Sequence, residues 1–214
     1  MRAVPSAAPF REESEEHVVR RLEAFSDIVI GFSLAQMTLN LALPRDVFDL
    51  FTKDSIALLA FGMTFVVVAS MWWLHHRLFT HYFVPTTLNI VLNFLSLAGV
   101  MFLCYTLQVW IHSALHHDIA YAMYAWSISW ITGIIALLTA TGVALRGDRM
   151  DPRLASIGRR RSIRLGVIAL AFAALGASSI ALPSANALRL VMFGLVGLLL
   201  VWRLVERFAL KAPA

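Results

Sequence analysis

Residues 20–43 read RRLEAFSDIVIGFSLAQMTLNLAL and set Ser26, Asp27, Ser33, Gln36, Thr38 and Asn40 among aliphatic and aromatic side chains. A carboxylate in such a run is costly to keep charged, so it faces a partner or water. Asp27 therefore has two chemical readings. It is a proton relay or cation ligand, or a structural carboxylate satisfied by Ser, His, Trp or Arg side chains. Arg21 and Glu23 lie toward the same end, where long side chains can snorkel to an aqueous boundary. Histidines form a second set, with His75, His76 and His81 in one group and His112, His116 and His117 in another. Histidine commonly binds iron and zinc, so the two groups together would suit a membrane di-iron or zinc centre. Ser33, Ser70 and Ser96 offer hydroxyls without the Gly-x-Ser-x-Gly elbow of a hydrolase.

The elements that must position these groups follow from composition. The 214 residues are 59% hydrophobic and only 14% charged, with a mean hydropathy of +0.74. A soluble domain carries about 25% charged residues, so lipid must cover the excess apolar surface. Six stretches are long enough to cross a hydrocarbon core of about 30 Å as helices: 20–43, 55–77, 87–111, 120–145, 164–182 and 187–209. Pro44, Pro85, Pro152 and Pro183 fall between them, where a missing backbone donor does little harm. Residues 1–17 are polar and acidic and lack the apolar core of a signal peptide. They are expected to form a solvated cytoplasmic tail ahead of one membrane domain over 18–210. The longest loop, 146–163, is basic.

Orientation follows from Lys and Arg alone. Placing both termini, the 2–3 loop and the 4–5 loop on one side puts 15 of the 18 basic residues there, leaving Arg45, Lys53 and Arg189 opposite. Both termini are then cytoplasmic, in an all-α multi-pass protein of the cell (plasma or inner) membrane. The net charge of +5 is the residue of this asymmetry and requires no nucleic-acid partner. The basic 4–5 loop is read first as a topological anchor, with anionic lipid or a regulatory partner as the other reading. Cys104 has no partner for an intrachain disulfide. The two histidine groups fall on opposite sides of the bilayer, which removes a shared metal centre; the outer group reads as loop residues. No P-loop or dinucleotide fingerprint occurs, nor the regular arginines of a voltage sensor. No enzyme activity, resident metal or cofactor is expected.

Along the first span, Phe25, Val29, Phe32, Gln36, Leu39 and Leu43 recur at alternating spacings of four and three, forming one stripe that is apolar apart from Gln36. Such a seam suits packing around a symmetry axis. It equally suits burial against the chain's own helices.

The segment Arg21-Leu-Glu-Ala-Phe25-Ser26-Asp27 resembles the Arg-x-x-x-Phe-Ser-Asp signature of the lysosomal and prokaryotic potassium channels of the transmembrane-protein-175 family. It stands at the cytoplasmic start of the first of six helices, as in that family. Trp72-Trp73-Leu-His75-His76-Arg77-Leu-Phe79 resembles the family's Trp and His cluster, and Asn89 and Asn93 fit the same region. The resemblance implies a homotetramer in a lipid bilayer, conducting potassium or another monovalent cation. The first helices would surround the axis. Arg21, Phe25, Ser26 and Asp27 would face away from the pore and tie that helix to its neighbours through Trp72 or Trp73 and His75 or His76. The narrow layers of relatives carry Ile or Leu at positions that are Phe32, Gln36 and Leu39 here, and the common Thr of the selective region is Ala35. A ring of four Gln36 amides could replace part of an ion's hydration shell, and a ring of four Phe32 could close the path by dewetting. A proton- or cation-coupled transporter using Asp27 and Glu23 is the rival function, although spans 1–3 and 4–6 share no obvious repeat. A nonconducting relative with the same fold is the third.

Overall fold

The computed structural model describes residues 8–39, 55–112 and 118–181, and all its regular elements are helices. They are α1 (Ala8–Leu39), α2 (Ser55–His81), α3 (Thr87–His112), α4 (Asp118–Arg146), a 3₁₀ turn (Gly147–Arg149) and α5 (Pro152–Ala181). Four stretches, Glu15–Leu39, Thr87–Trp110, Ile119–Arg146 and Pro152–Ala181, are long and apolar enough to cross a membrane. The expected sixth span, 187–209, lies outside the described residues, as do Leu43 and the outer histidines His116 and His117.

α4 is the hub. It packs along α5 over most of its length and along α3 over much of it, while α1 rests on α3 and α2. Leu97, Val100, Leu103 and Leu107 of α3 meet Ile128, Ile131 and Ile135 of α4 in the main core. A second cluster near the α2–α3 turn gathers Leu78, Phe79, Tyr82, Phe83, Leu138 and Met150. Helices there approach closely because two positions lack a side chain. A Cβ on Gly142 would run into the Tyr82 carbonyl, whose carbon lies 2.7 Å away. A Cβ on Gly158 would lie 2.6 Å from both the Tyr82 ring and Val143.

The polar groups that end the helices are matched locally. Thr86 Oγ1 accepts the Asn89 N–H at 3.2 Å, capping α3. α4 stops at Gly147, whose φ of +46° suits glycine. Asp151 accepts the Arg153 N–H at 2.8 Å, and Pro152 takes the first position of α5, where its missing N–H is harmless.

Two boundaries differ from the hydropathy reading. The basic stretch expected as a loop over 146–163 is helical from Pro152 onward, a solvated extension of α5. α1 likewise begins at Ala8, inside the expected tail. Arginine and glutamate are good helix formers, and a hydropathy window cannot tell a solvated helix from a loop. Two of the arginines also have structural tasks. Arg146 donates to the carbonyls of His81 (2.8 Å) and Phe83 (3.1 Å), closing the open end of α2. Arg161 donates to the Leu74 carbonyl at 2.9 Å.

Candidate functional site

α1 presents three faces. The first is buried: Ser26, Ile30, Ser33 and Met37, at spacings of four, three and four, turn toward α2 and α3. Its hydroxyls are satisfied within the helix, Ser26 donating to the Leu22 carbonyl at 2.7 Å and Ser33 to Val29 at 2.8 Å. Thr38 does the same to Leu34 at 3.1 Å. These polar residues are therefore accounted for as helix packing.

The second face is a polar seam between α1, α2 and α3. Trp72 Nε1 donates to Asp27 Oδ1 at 2.8 Å. His76 Nδ1 lies 3.0 Å from Glu23 Oε1, and the His76 ring stacks on Trp72 with centroids 5.8 Å apart. Deeper in the bundle, Asn93 Nδ2 donates to Ser26 Oγ at 3.3 Å and Asn93 Oδ1 lies 2.7 Å from His75 Nε2. The amide oxygen can only accept, so His75 donates from Nε2–H. Its Nδ1 is then a bare acceptor, buried and without a partner among the described residues.

The structure thus separates residues that adjacency had left ambiguous. Trp72 meets the signature Asp27, whereas Trp73 lies under the Arg77 guanidinium at 5.9 Å. His75 reaches Ser26 through Asn93, and His76 takes Glu23. Phe25 packs edge-on against Phe94 at 5.8 Å. Asn89 does not join the seam. It donates to the Val84 carbonyl at 2.9 Å and accepts from Thr141 at 3.3 Å, holding the α2–α3 turn against α4. Arg21 is exposed, and no hydrogen bond or ion pair joins it to another described residue. The part played by Glu23 was missed; its signal was the His76 that a one-residue choice between histidines had left open. His81, beyond the expected end of span two at residue 77, has its imidazole pKa lowered by desolvation and by the neighbouring Arg77, Arg161 and Arg146. Among the described residues no three His, Cys, Asp or Glu side chains gather as a metal site requires.

The third face carries exposed side chains: Ile28, Phe32, Ala35, Gln36 and Leu39, with Phe32 68% and Leu39 79% exposed. Of the described residues in the stripe read along this helix, Val29 packs on the core and Phe25 on Phe94, while Phe32, Gln36 and Leu39 are exposed. In the apolar windows of α1 and α5 28% of the residues are buried, against 50% for α3 and for α4.

Comparison with known proteins bears on this arrangement. Residues 21–104 match the sequence model of the endosomal/lysosomal potassium channel TMEM175, beginning at the first residue of the signature. A crystal structure of a variant of the potassium channel MtTMEM175, bound to a nanobody–MBP fusion protein, superposes with a TM-score of 0.66. The alignment covers 87% of this chain and 93% of that one at 13% identity. The fold is the TMEM175 channel fold. A lysosomal potassium-selective channel TMEM175 homolog from Chamaesiphon minutus gives a TM-score of 0.58 at 21% identity, covering 83% of this chain and 98% of that one. No curated protein sequence matches. The resemblance drawn from Arg21–Asp27 is borne out in sequence over the first part of the chain and in fold over most of its length. The matched segment contains the whole polar seam and the exposed face of TMEM175-like α1.

Proposed function

We propose that the chain is one subunit of a homotetrameric, multi-pass channel of the cell membrane that conducts potassium, with α1 lining the pore. The observation that carries this reading is the exposed stripe of Ile28, Phe32 and Leu39, opposite the buried face of α1. Lipid can cover an apolar helix face of this kind; the homotetramer that the resemblance implies sets it instead against three further copies around an axis. The solved relatives of this fold are potassium channels by description, and their permeant ion is the natural first choice here.

In this reading the polar seam holds α1 in place while the stripe sets conduction. The acidic groups of α1 support that division: Asp27 is engaged by Trp72 and Glu23 by His76, away from the stripe. The sixth helix over 187–209 and cytoplasmic termini complete the reading, resting on the distribution of Lys and Arg. Phe32, Gln36 and, one face-width over, Ala35 replace side chains on which the resemblance places the constriction, so selectivity is where this chain should depart from its relatives.

Ion flux from liposomes containing the purified chain tests the proposal. Potassium efflux down its own gradient, unaffected by collapse of a proton gradient, supports a channel. Movement that stops when the proton gradient is removed would instead make the chain a coupled transporter, and no flux of any monovalent cation would leave the fold without conduction.

A further inference from the structure

The first turns of α5 carry a feature that conduction does not use. Arg153, Arg159, Arg160 and Arg164 lie along this solvated extension, and no ion pair joins any of them to an acidic residue among those described. Arg146 and Arg161, from the same basic stretch, are spent on helix carbonyls; these four are not. The one nearby carboxylate, Asp151, accepts the Arg153 backbone N–H. Between the Gly147–Arg149 turn and α5 lies a cavity of about 540 Å³, lined by Met150, Pro152, Ala155, Ser156, Arg159 and Arg160. That volume is within the usual range for small-ligand sites, about 300–1,000 Å³.

What would fill it is indicated by the rest of the same helix face. Ser156, Arg159 or Arg160, Ile163, Val167 and Leu170 follow one another at spacings of three and four, so they form one stripe. Ile163, Val167 and Leu170 are exposed. From Arg160 to Leu170 a helix rises about 15 Å, half the thickness of a hydrocarbon core. Two guanidiniums at the rim, continued by an apolar track into the bilayer, match a phosphodiester with acyl chains attached; the Ser156 hydroxyl donates to the Arg153 carbonyl. A free phosphate would use the rim alone.

We infer that the Arg159–Arg160 cavity holds the headgroup of an anionic phospholipid from the leaflet at the α4–α5 turn, with an acyl chain along Ile163, Val167 and Leu170. The guanidiniums provide charge-assisted hydrogen bonds to the phosphate oxygens, and an anionic leaflet attracts basic groups at its surface. Membrane residence is all this requires; it stands whether or not the protein conducts.

Thermal unfolding of the full chain in detergent, with phosphatidylglycerol, phosphatidylcholine or soluble glycerol phosphate added, tests it. Phosphatidylglycerol at ten times its half-saturating concentration should raise the midpoint by about 3–5 °C, and phosphatidylcholine should not. Arg159→Gln/Arg160→Gln should abolish the rise, the Lys/Lys pair should keep part of it, and 0.5 M salt (about a 4 Å screening length) should reduce it. If the double Gln variant does not purify, the single variants make the same comparison, each losing part of the rise. An equal rise in wild type and Gln variants overturns the site. An equal rise with phosphatidylcholine overturns anionic recognition, and an equal rise with glycerol phosphate overturns the lipid as the ligand.

Discussion

Replacing Asn93 with alanine removes the bridge between α1 and α2 while leaving both helices otherwise intact. Asn93 and Ser26 are both 0% exposed and His75 is 2% exposed, so no water would repair the gap. Two bonds are lost, the 2.7 Å contact to His75 and the weaker 3.3 Å contact to Ser26. Interhelical hydrogen bonds in membrane bundles contribute about 0.6 kcal/mol on average and up to about 1.7. The larger cost falls on His75. Its Nδ1 is already without a partner, and Asn93→Ala would leave Nε2–H unmatched as well, at about 1–3 kcal/mol for a stranded buried donor. The sum is about 2–4 kcal/mol, or a fall of about 5–15 °C in the unfolding midpoint of a chain this size.

The measurement is tryptophan fluorescence of detergent-solubilised protein at a fixed scan rate. Ser26→Ala is the control, because its hydroxyl already donates to Leu22 and Asn93 loses only its weaker acceptor; a fall of about 2–3 °C is expected. His75→Leu combined with Asn93→Leu should cost less than the two single changes added together, since removing both partners strands nothing. An Asn93→Ala protein that melts with wild type, or a Ser26→Ala protein that falls as far, would show that the bridge does not fasten α1.

The same reasoning makes Asp27→Asn mild, about 1 kcal/mol, because the amide oxygen still accepts from Trp72, while Asp27→Leu strands that N–H and costs about 2–3 kcal/mol; a stable variant with altered ion preference would overturn the structural role. Phe32→Ala should raise single-channel conductance and Gln36→Leu should change the potassium-to-sodium ratio, with the tetramer intact by cross-linking; unchanged currents from both would remove α1 from the pore. Gly142→Ala should destabilise by about 3 kcal/mol or more, since the new methyl meets the Tyr82 backbone carbonyl rather than a movable side chain, and a melting curve at the wild-type position would refute that packing. His81 has a depressed pKa, so its neutral form carries the stability, present above the unfolded value near 6.5 and lost as pH falls through the lower folded value. Melting measured from neutral to acidic pH should therefore decline less steeply in His81→Gln than in wild type.

How far the site could be read from residues alone varies with the kind of information each needed. The apolar runs and the punctuation by Pro85 and Pro152 are local, and they mark helices α2 to α5 without tertiary knowledge. The extension of α5 back to Pro152 was illegible because hydropathy measures burial in lipid and is blind to helicity in water. The Trp72/Trp73 and His75/His76 choices were closed to inspection for another reason. Neighbours on a helix point about 100° apart, so which one meets α1 depends on the rotation of α2, and that is set by the burial of Val68, Met71 and Leu78. Asn89 and Asn93 share a face at four-residue spacing, yet the seam lies one turn deeper than Asn89 reaches, and the α2–α3 turn claims that side chain instead.

These pairings bear directly on what α1 can do. Its buried face of Ser26, Ile30, Ser33 and Met37 and its seam of Glu23 and Asp27 are filled by α2 and α3, so the helix has little freedom to rotate about its axis. Turning it by one residue, about 100°, would break Asp27–Trp72 and Glu23–His76 together and carry Phe32 out of line with Leu39's present direction. In the channel proposed above, the third face of this helix, with Phe32 and Leu39 exposed on it, is the one that would meet the axis. On that proposal the polar signature acts by fixing direction, and changes to the seam should alter conduction only as far as they let α1 turn.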